Sequence, residues 1–288
     1  MKYCLLLFIF FSPILAFSQE PLADSLADDT SEKVSAAFKS TRVINAHSIA
    51  MLHKKDLDFR IMHRFGFVSD GLKEFFGLDQ ATMRMSLDYG LTDDLMVGLG
   101  RSTYRKEVDA FLKTRLLHQT LGAAKNIPLS LVFAVGLQNW TEETFGPAKP
   151  SFSDRMSYYI QLLAGRKFSE KISFQLSPIL LISNTPVLET DNKTIFALGA
   201  GGRAKISRRI ALTVDYHHPF RESNAFYTDP LSVGMDIETG GHVFQLHFSN
   251  ATGTNERAYI TETTGKFFKG DIRFGFNLSR MFYIGKKW

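Results

Sequence analysis

The chain has one cysteine, two tryptophans and nine prolines in 288 residues, and its formal net charge is only +5. Cys4 is the single cysteine and lies near the N-terminus. A disulfide, a thiol nucleophile in the body of the chain and a cysteine-held metal are therefore excluded. The small cationic excess, one less without Lys2, is too weak a footprint for nucleic acid. Beyond the first residues there is no apolar run long enough for a spanning helix. An exported chain without disulfides must be held by its core or its hydrogen bonds.

Export itself is read from the opening. Lys2 precedes an apolar run from Leu5 to Phe17, which ends on Ala16-Phe17-Ser18. This order predicts a secretory signal over residues 1–18, cleaved before Gln19. An N-terminal membrane anchor is the competing reading, but the run is shorter than the ~20 residues a spanning helix needs. Residues 19–53 form the next unit. Up to about Ser40 they are rich in Ala, Ser and acids (Asp24, Asp28, Asp29, Glu32), which predicts a mobile periplasmic leader. Residues 41–53 (TRVINAHSIAMLH) fit an extra strand, a short plug or a periplasmic brace, and the pattern alone leaves all three open.

From residue 54 to the end, apolar and polar residues alternate with period two. Leu57, Phe59, Ile61, Phe65 and Phe67 share one face with His63, against Asp58, Arg60, Met62 and Arg64. Met83, Met85, Leu87 and Tyr89 oppose Thr82, Arg84, Ser86 and Asp88. Val108, Ala110, Leu112 and Leu116 oppose Glu107, Asp109, Phe111, Lys113 and Arg115. About twelve such segments follow one another, the last with Ile272, Phe274, Phe276 and Leu278 against Asp271, Arg273, Gly275 and Asn277. A soluble sandwich produces the same alternation. The connections discriminate. TDD, KFSEK, SRR and TGG are short and fall on the even-numbered connections, with a longer one at 122–127; most of the odd-numbered ones are long. Short turns at one rim and long loops at the other are the mark of an outer-membrane barrel. Phe67, Tyr89, Trp140, Tyr216, Phe282 and Trp288 suit interfacial aromatic girdles. The expected fold is all-β, an antiparallel up-and-down transmembrane barrel of about twelve strands, in the cell outer membrane.

The inward face carries the candidate chemistry. The lumen-lining set is Asp58, Arg60, Arg64, Arg84, Asp88, Asp109, Lys113, Arg115, Arg155, Asp215, Asp236 and Arg273. Arginine forks hold carboxylates bidentately. The set therefore reads either as a basic strip that conducts an anion or as a self-neutralising ladder that stiffens a small barrel. No cofactor or metal is expected: His217 and His218 point to opposite faces, as do His242 and His247, leaving only His217 and His247 inward. Ser249, His247 and Asp215 could meet as a hydrolase set, although no nucleophile-elbow motif accompanies them. Gly199, Gly201 and Gly202 lie in a strand, where they relieve crowding rather than cradle phosphate.

At HRFG (63–66), FGLDQATMRMSLDYGLTDDLMVGLGRS (76–102) and KTRLLHQT (113–120), the chain resembles a family of outer-membrane β-barrels from Gram-negative bacteria that is catalogued as a domain of unknown function. The resemblance spans most of the chain after about Ser40. It implies a barrel and its location, and brings no substrate or catalytic residue. The expected function is a passive channel or small-molecule transporter with a charged lumen, its partners being outer-membrane lipid and a small polar or anionic solute. A plugged barrel acting as a structural or partner-binding platform, or an outer-membrane hydrolase, are the alternatives.

Overall fold

The structure is a computed structural model describing residues 32–35, 37–122, 126–142, 150–186, 191–221, 226–240 and 242–285. The expected signal segment, most of the leader and Trp288 lie outside the described residues. Twelve antiparallel strands close into one barrel. They are β1 (Asp56–Phe67), β2 (Ala81–Thr92), β3 (Leu95–Ser102), β4 (Val108–Leu117), β5 (Ser130–Asn139), β6 (Met156–Lys167), β7 (Ile172–Ser183), β8 (Thr194–Lys205), β9 (Ile210–Phe220), β10 (Leu231–Thr239), β11 (His242–Ser249) and β12 (Arg273–Tyr283). Neighbours in sequence are neighbours in space, and β12 pairs with β1, from Arg273 opposite Phe67 to Tyr283 opposite Asp56. Closure leaves no strand edge, so the ladder can sit in hydrocarbon without unpaired backbone.

The period-two pattern sets the register. Leu87, Leu99, Ile160, Phe196 and Phe248 stand on the outer face, each more than two-fifths exposed. His63 shares that face, stacked on Phe276, while Phe65 stacks on Phe274. Trp140 departs from the expected girdle: it is buried, and the Arg155 guanidinium lies over its ring.

The inner face is not polar throughout. Met62, Met96, Val132, Ala134, Leu163, Ile179, Leu181, Ile195 and Ala197 also point inward and are buried. Their partners are two segments that fill the lumen. The first enters from the short-turn rim. Glu32–Lys33 pairs with Thr120–Leu121 of the connection after β4, and the chain then turns into the barrel. Residues 41–48 form a narrow hairpin there, with Val43 N–H bonded to Ala46 O and Ser48 N–H to Thr41 O, both at 2.9 Å. Phe38, Val43, Ala46, Ile49 and Leu52 bring its apolar side chains into the core. The chain leaves by the same rim, crossing Gly90 so closely that a Cβ there would stand 2.0 Å from His53 O. Residues 41–49 lie buried inside the barrel, packed against its wall. The second segment descends from the long-loop rim: residues 250–265, with the short helix α1 (Glu256–Thr261), contribute Ala251, Tyr259 and Ile260 to the same core.

Candidate functional site

Long polar side chains project from the barrel wall and grip the N-terminal insert by its main chain. The Lys113 ammonium donates to Ala50 O at 2.7 Å and Thr41 O at 3.3 Å. Gln245 donates to Val43 O and Asn277 to Ile44 O, at 2.7 and 2.9 Å. One carboxylate oxygen of Asp215 accepts from the N–H groups of Asn45 and Ala46, at 2.8 and 2.9 Å. The Gln175 amide takes Ile49 N–H and donates to His47 O, at 3.0 and 2.7 Å. The physical need is plain, since a buried hairpin this narrow leaves most of its backbone groups without internal partners.

Side-chain contacts are fewer. Arg60 donates to the hydroxyls of Ser40 and Thr41, both at 2.7 Å, and to Asp58 at 2.6 Å. Arg64 donates to Asn45 Oδ1 and meets His247 Nε2, both at 2.9 Å, and reaches Ser249 Oγ and Ala251 O. His47 Nε2 meets the Tyr159 hydroxyl at 3.0 Å.

The loop insert is held differently. The Glu107 carboxylate takes Arg257 at 2.7 and 2.9 Å and the Asn255 amide at 2.8 Å. Arg257 also pairs with Glu262, which accepts from the Tyr104 hydroxyl and Arg105. Burial alone would raise the Glu262 pKa, but Arg257 and Arg105 hold it below the usual carboxylate range. The two inserts touch at one charge pair, Arg42 to Glu256 at 2.8 Å, with His47 3.4 Å from the same carboxylate oxygen.

The charged residues expected on the lumen wall fall into three groups. Asp58, Arg60, Arg64, Arg84, Asp88, Asp109, Lys113, Asp215 and Asp236 are enclosed within the barrel. Arg84 grips Asp109 through two bonds, at 2.8 and 2.5 Å, and Asp236 lies near Arg203. Arg115 sits at the short-turn mouth, paired with Asp94 at 3.3 Å, beside a cavity of about 490 Å³ lined also by Phe38, Met51, Leu52, Arg60 and His118. Arg155 and Arg273 stand at the long-loop rim rather than along the wall; Arg273 lies 3.6 Å over the Phe67 ring. Of the hydrolase candidates, His247 and Ser249 do not pair with each other, because Arg64 reaches between them and donates to both. The sequence reading missed Gln175, Gln245 and Asn277 as contact residues for the insert. Nothing in single-sequence alternation separates a wall glutamine that holds a peptide from one that faces water.

These features define a membrane-bound β-barrel with an occupied lumen. Over residues 38–282 the chain matches, and belongs to, the family described as "Membrane bound beta barrel domain (DUF5777)". No curated protein matches it. Among solved structures, it is similar to the NanC porin at 7% identity and a TM-score of 0.47, over 79% of this chain and 98% of that one. The KdgM porin follows at 8% identity and 0.44, over 80% and 99%. OmpT of Vibrio cholerae gives 9% identity and 0.36, over 81% and 99%.

Proposed function

We propose that this protein is an outer-membrane channel or small-molecule transporter that rests closed and opens when its N-terminal insert leaves the lumen. The observation that supports it is how that insert is held: single hydrogen bonds from neutral and charged wall groups, most of them to its main chain, entry and exit through the same rim, and one ion pair, Arg42 to Glu256, to the loop insert. A segment held so can withdraw toward the periplasm without unthreading the barrel. The enclosed charges, Asp58, Arg60, Arg64, Arg84, Asp88, Asp109, Lys113, Asp215 and Asp236, then line the passage, with Arg115 at the periplasmic mouth and Arg155 and Arg273 at the outer one. The passive open pore is the less favoured form of this reading, since two segments occupy the lumen.

The test is single-channel conductance in planar bilayers, with a lock on the insert. Val43 Cγ2 stands 2.9 Å from where a Gly201 Cβ would be, close to the separation a disulfide spans. The Val43→Cys/Gly201→Cys variant, in a chain whose only native cysteine precedes the expected cleavage site, joins insert to wall. Rare current steps in the native protein, abolished on oxidation and restored by reductant, are expected. Equal currents in the oxidised and reduced forms would end the gated reading. Silence in every form would favour a plugged platform.

A further inference from the structure

The wall reads the insert as a peptide. Eight hydrogen bonds from five wall side chains, Lys113, Gln175, Asp215, Gln245 and Asn277, go to its main-chain N–H and C=O groups. Both kinds of main-chain group are met: carbonyls of residues 41, 43, 44, 47 and 50 meet donors, and N–H groups of residues 45, 46 and 49 meet acceptors. Gln175 accepts an N–H and donates to a C=O two residues away, which is how a neighbouring strand would pair.

Charge adds to this. Arg84 and Arg60 are neutralised by wall carboxylates, at 2.5 and 2.6 Å. Among the described residues the bonds of Lys113 go to the insert's carbonyls alone, and those of Arg64 go to neutral acceptors, the insert's Asn45 Oδ1 among them. Across the lumen the Asp215 carboxylate faces the insert's N–H groups. Emptied of the insert, this wall presents buried cations and a carboxylate spaced for carbonyl oxygens and amide hydrogens.

We propose that the lumen is a binding site for oligopeptides, occupied in this structure by the chain's own residues 41–50, and that an incoming peptide competes with the insert for the same wall groups. The inference rests on the gated reading in one respect, that the insert can leave. Its specificity lies in the main chain, so it tolerates many side chains and requires free amide N–H groups.

The experiment uses the full chain with the insert weakened from its own side. Ala46→Pro removes one of the N–H groups that Asp215 accepts. Val43→Glu, the second variant, places an unpaired carboxylate in the apolar core. Release of the insert is scored by trypsin cleavage after Arg42, buried in the native protein. Three synthetic peptides are then titrated by calorimetry in detergent: residues 38–50, the same peptide with Arg42 and His47 replaced by Ala, and the same peptide N-methylated at Asn45 and Ala46. The first two are expected to bind within about tenfold of each other, and the N-methylated one at least about tenfold more weakly, because its charged acceptor loses both donors. Cleavage after Arg42 without binding of any peptide would overturn the proposal while leaving the gate intact. Binding that needs the Arg42 and His47 side chains, or that ignores N-methylation, would also overturn it. If neither variant exposes Arg42, the gate falls and the peptide site falls with it.

Discussion

The two segments that fill this barrel bury similar apolar groups but are fastened by opposite chemistry. The N-terminal insert is held mainly through its backbone by neutral or singly charged wall groups, in bonds that many chains could form. The loop insert is held by a buried charge network, Glu107–Arg257–Glu262–Arg105, in which each group answers another in position and sign. A network of that kind resists partial removal, because taking away one member strands the others as uncompensated buried charges. On the proposed gating the contrast divides the tasks: the loop insert would be the fixed part and the N-terminal insert the part that moves.

The largest effect should come from breaking the loop insert's charge network. Glu107→Gln leaves Arg257 without its bidentate carboxylate in a buried site, at a cost of about 3–5 kcal/mol. Thermal unfolding in detergent should show the loss, and limited proteolysis should find Arg257 newly accessible. A variant as stable as the native chain would remove the asymmetry between the inserts. Arg84→Met comes next. It strands Asp109 in the wall at a similar or slightly smaller cost, and urea unfolding should be cooperative but shifted to lower denaturant.

Acid tests the same network. The Glu262 pKa is lowered in the folded state, so its contribution is present above the carboxylate's ordinary unfolded value and is lost as pH falls through the depressed folded one. Protease protection of residues 250–265 should therefore persist at neutral pH and weaken in acid. Protection unchanged down to the lowest pH that keeps the barrel folded would contradict the ion-pair account. Glu256→Gln cuts the single charged junction between the inserts and should raise the frequency of channel opening several-fold without changing conductance. An unchanged open frequency would show that Arg42 is no restraint. Arg115→Gln should have the smallest effect, a modest shift of the reversal potential, since Arg115 is already paired with Asp94 at the mouth; no shift would take it out of the ion path.

Much of the fold was legible from period two and the parity of loop lengths. The outward placement of Leu87, Ile160 and Phe248 and the enclosure of Arg60, Arg84 and Asp109 follow from alternation alone, because a strand offers only two faces. What alternation cannot carry is the third dimension of the lumen. Val132, Leu163, Ile179 and Ile195 occupy inward positions where a water-filled pore would want polar groups, and they make sense only with Phe38, Ile49 and Tyr259 packed among them. Residues 41–53 stayed ambiguous for a related reason. A hairpin satisfied by someone else's side chains has neither the periodicity of a strand nor the apolar face of a helix. Trp140 was misplaced because its amphipathic ring suits a membrane interface and an Arg155 guanidinium equally well.

The crossing of His53 over Gly90 has a consequence for any competitor. It anchors the insert's exit a few residues from Ala50, with Lys55 N–H bonded to Gly90 O and Lys54 N–H to Asp93. A withdrawn insert therefore stays on a leash only a few residues long. A short leash holds its ligand at an effective concentration on the order of millimolar or above. A free peptide must exceed that local concentration or bind better than the insert does. If the insert gates the lumen as proposed, the site would be screened from sparse, weak ligands by a rival that never diffuses away, and the threshold for opening would be set by tether length as much as by the bonds themselves.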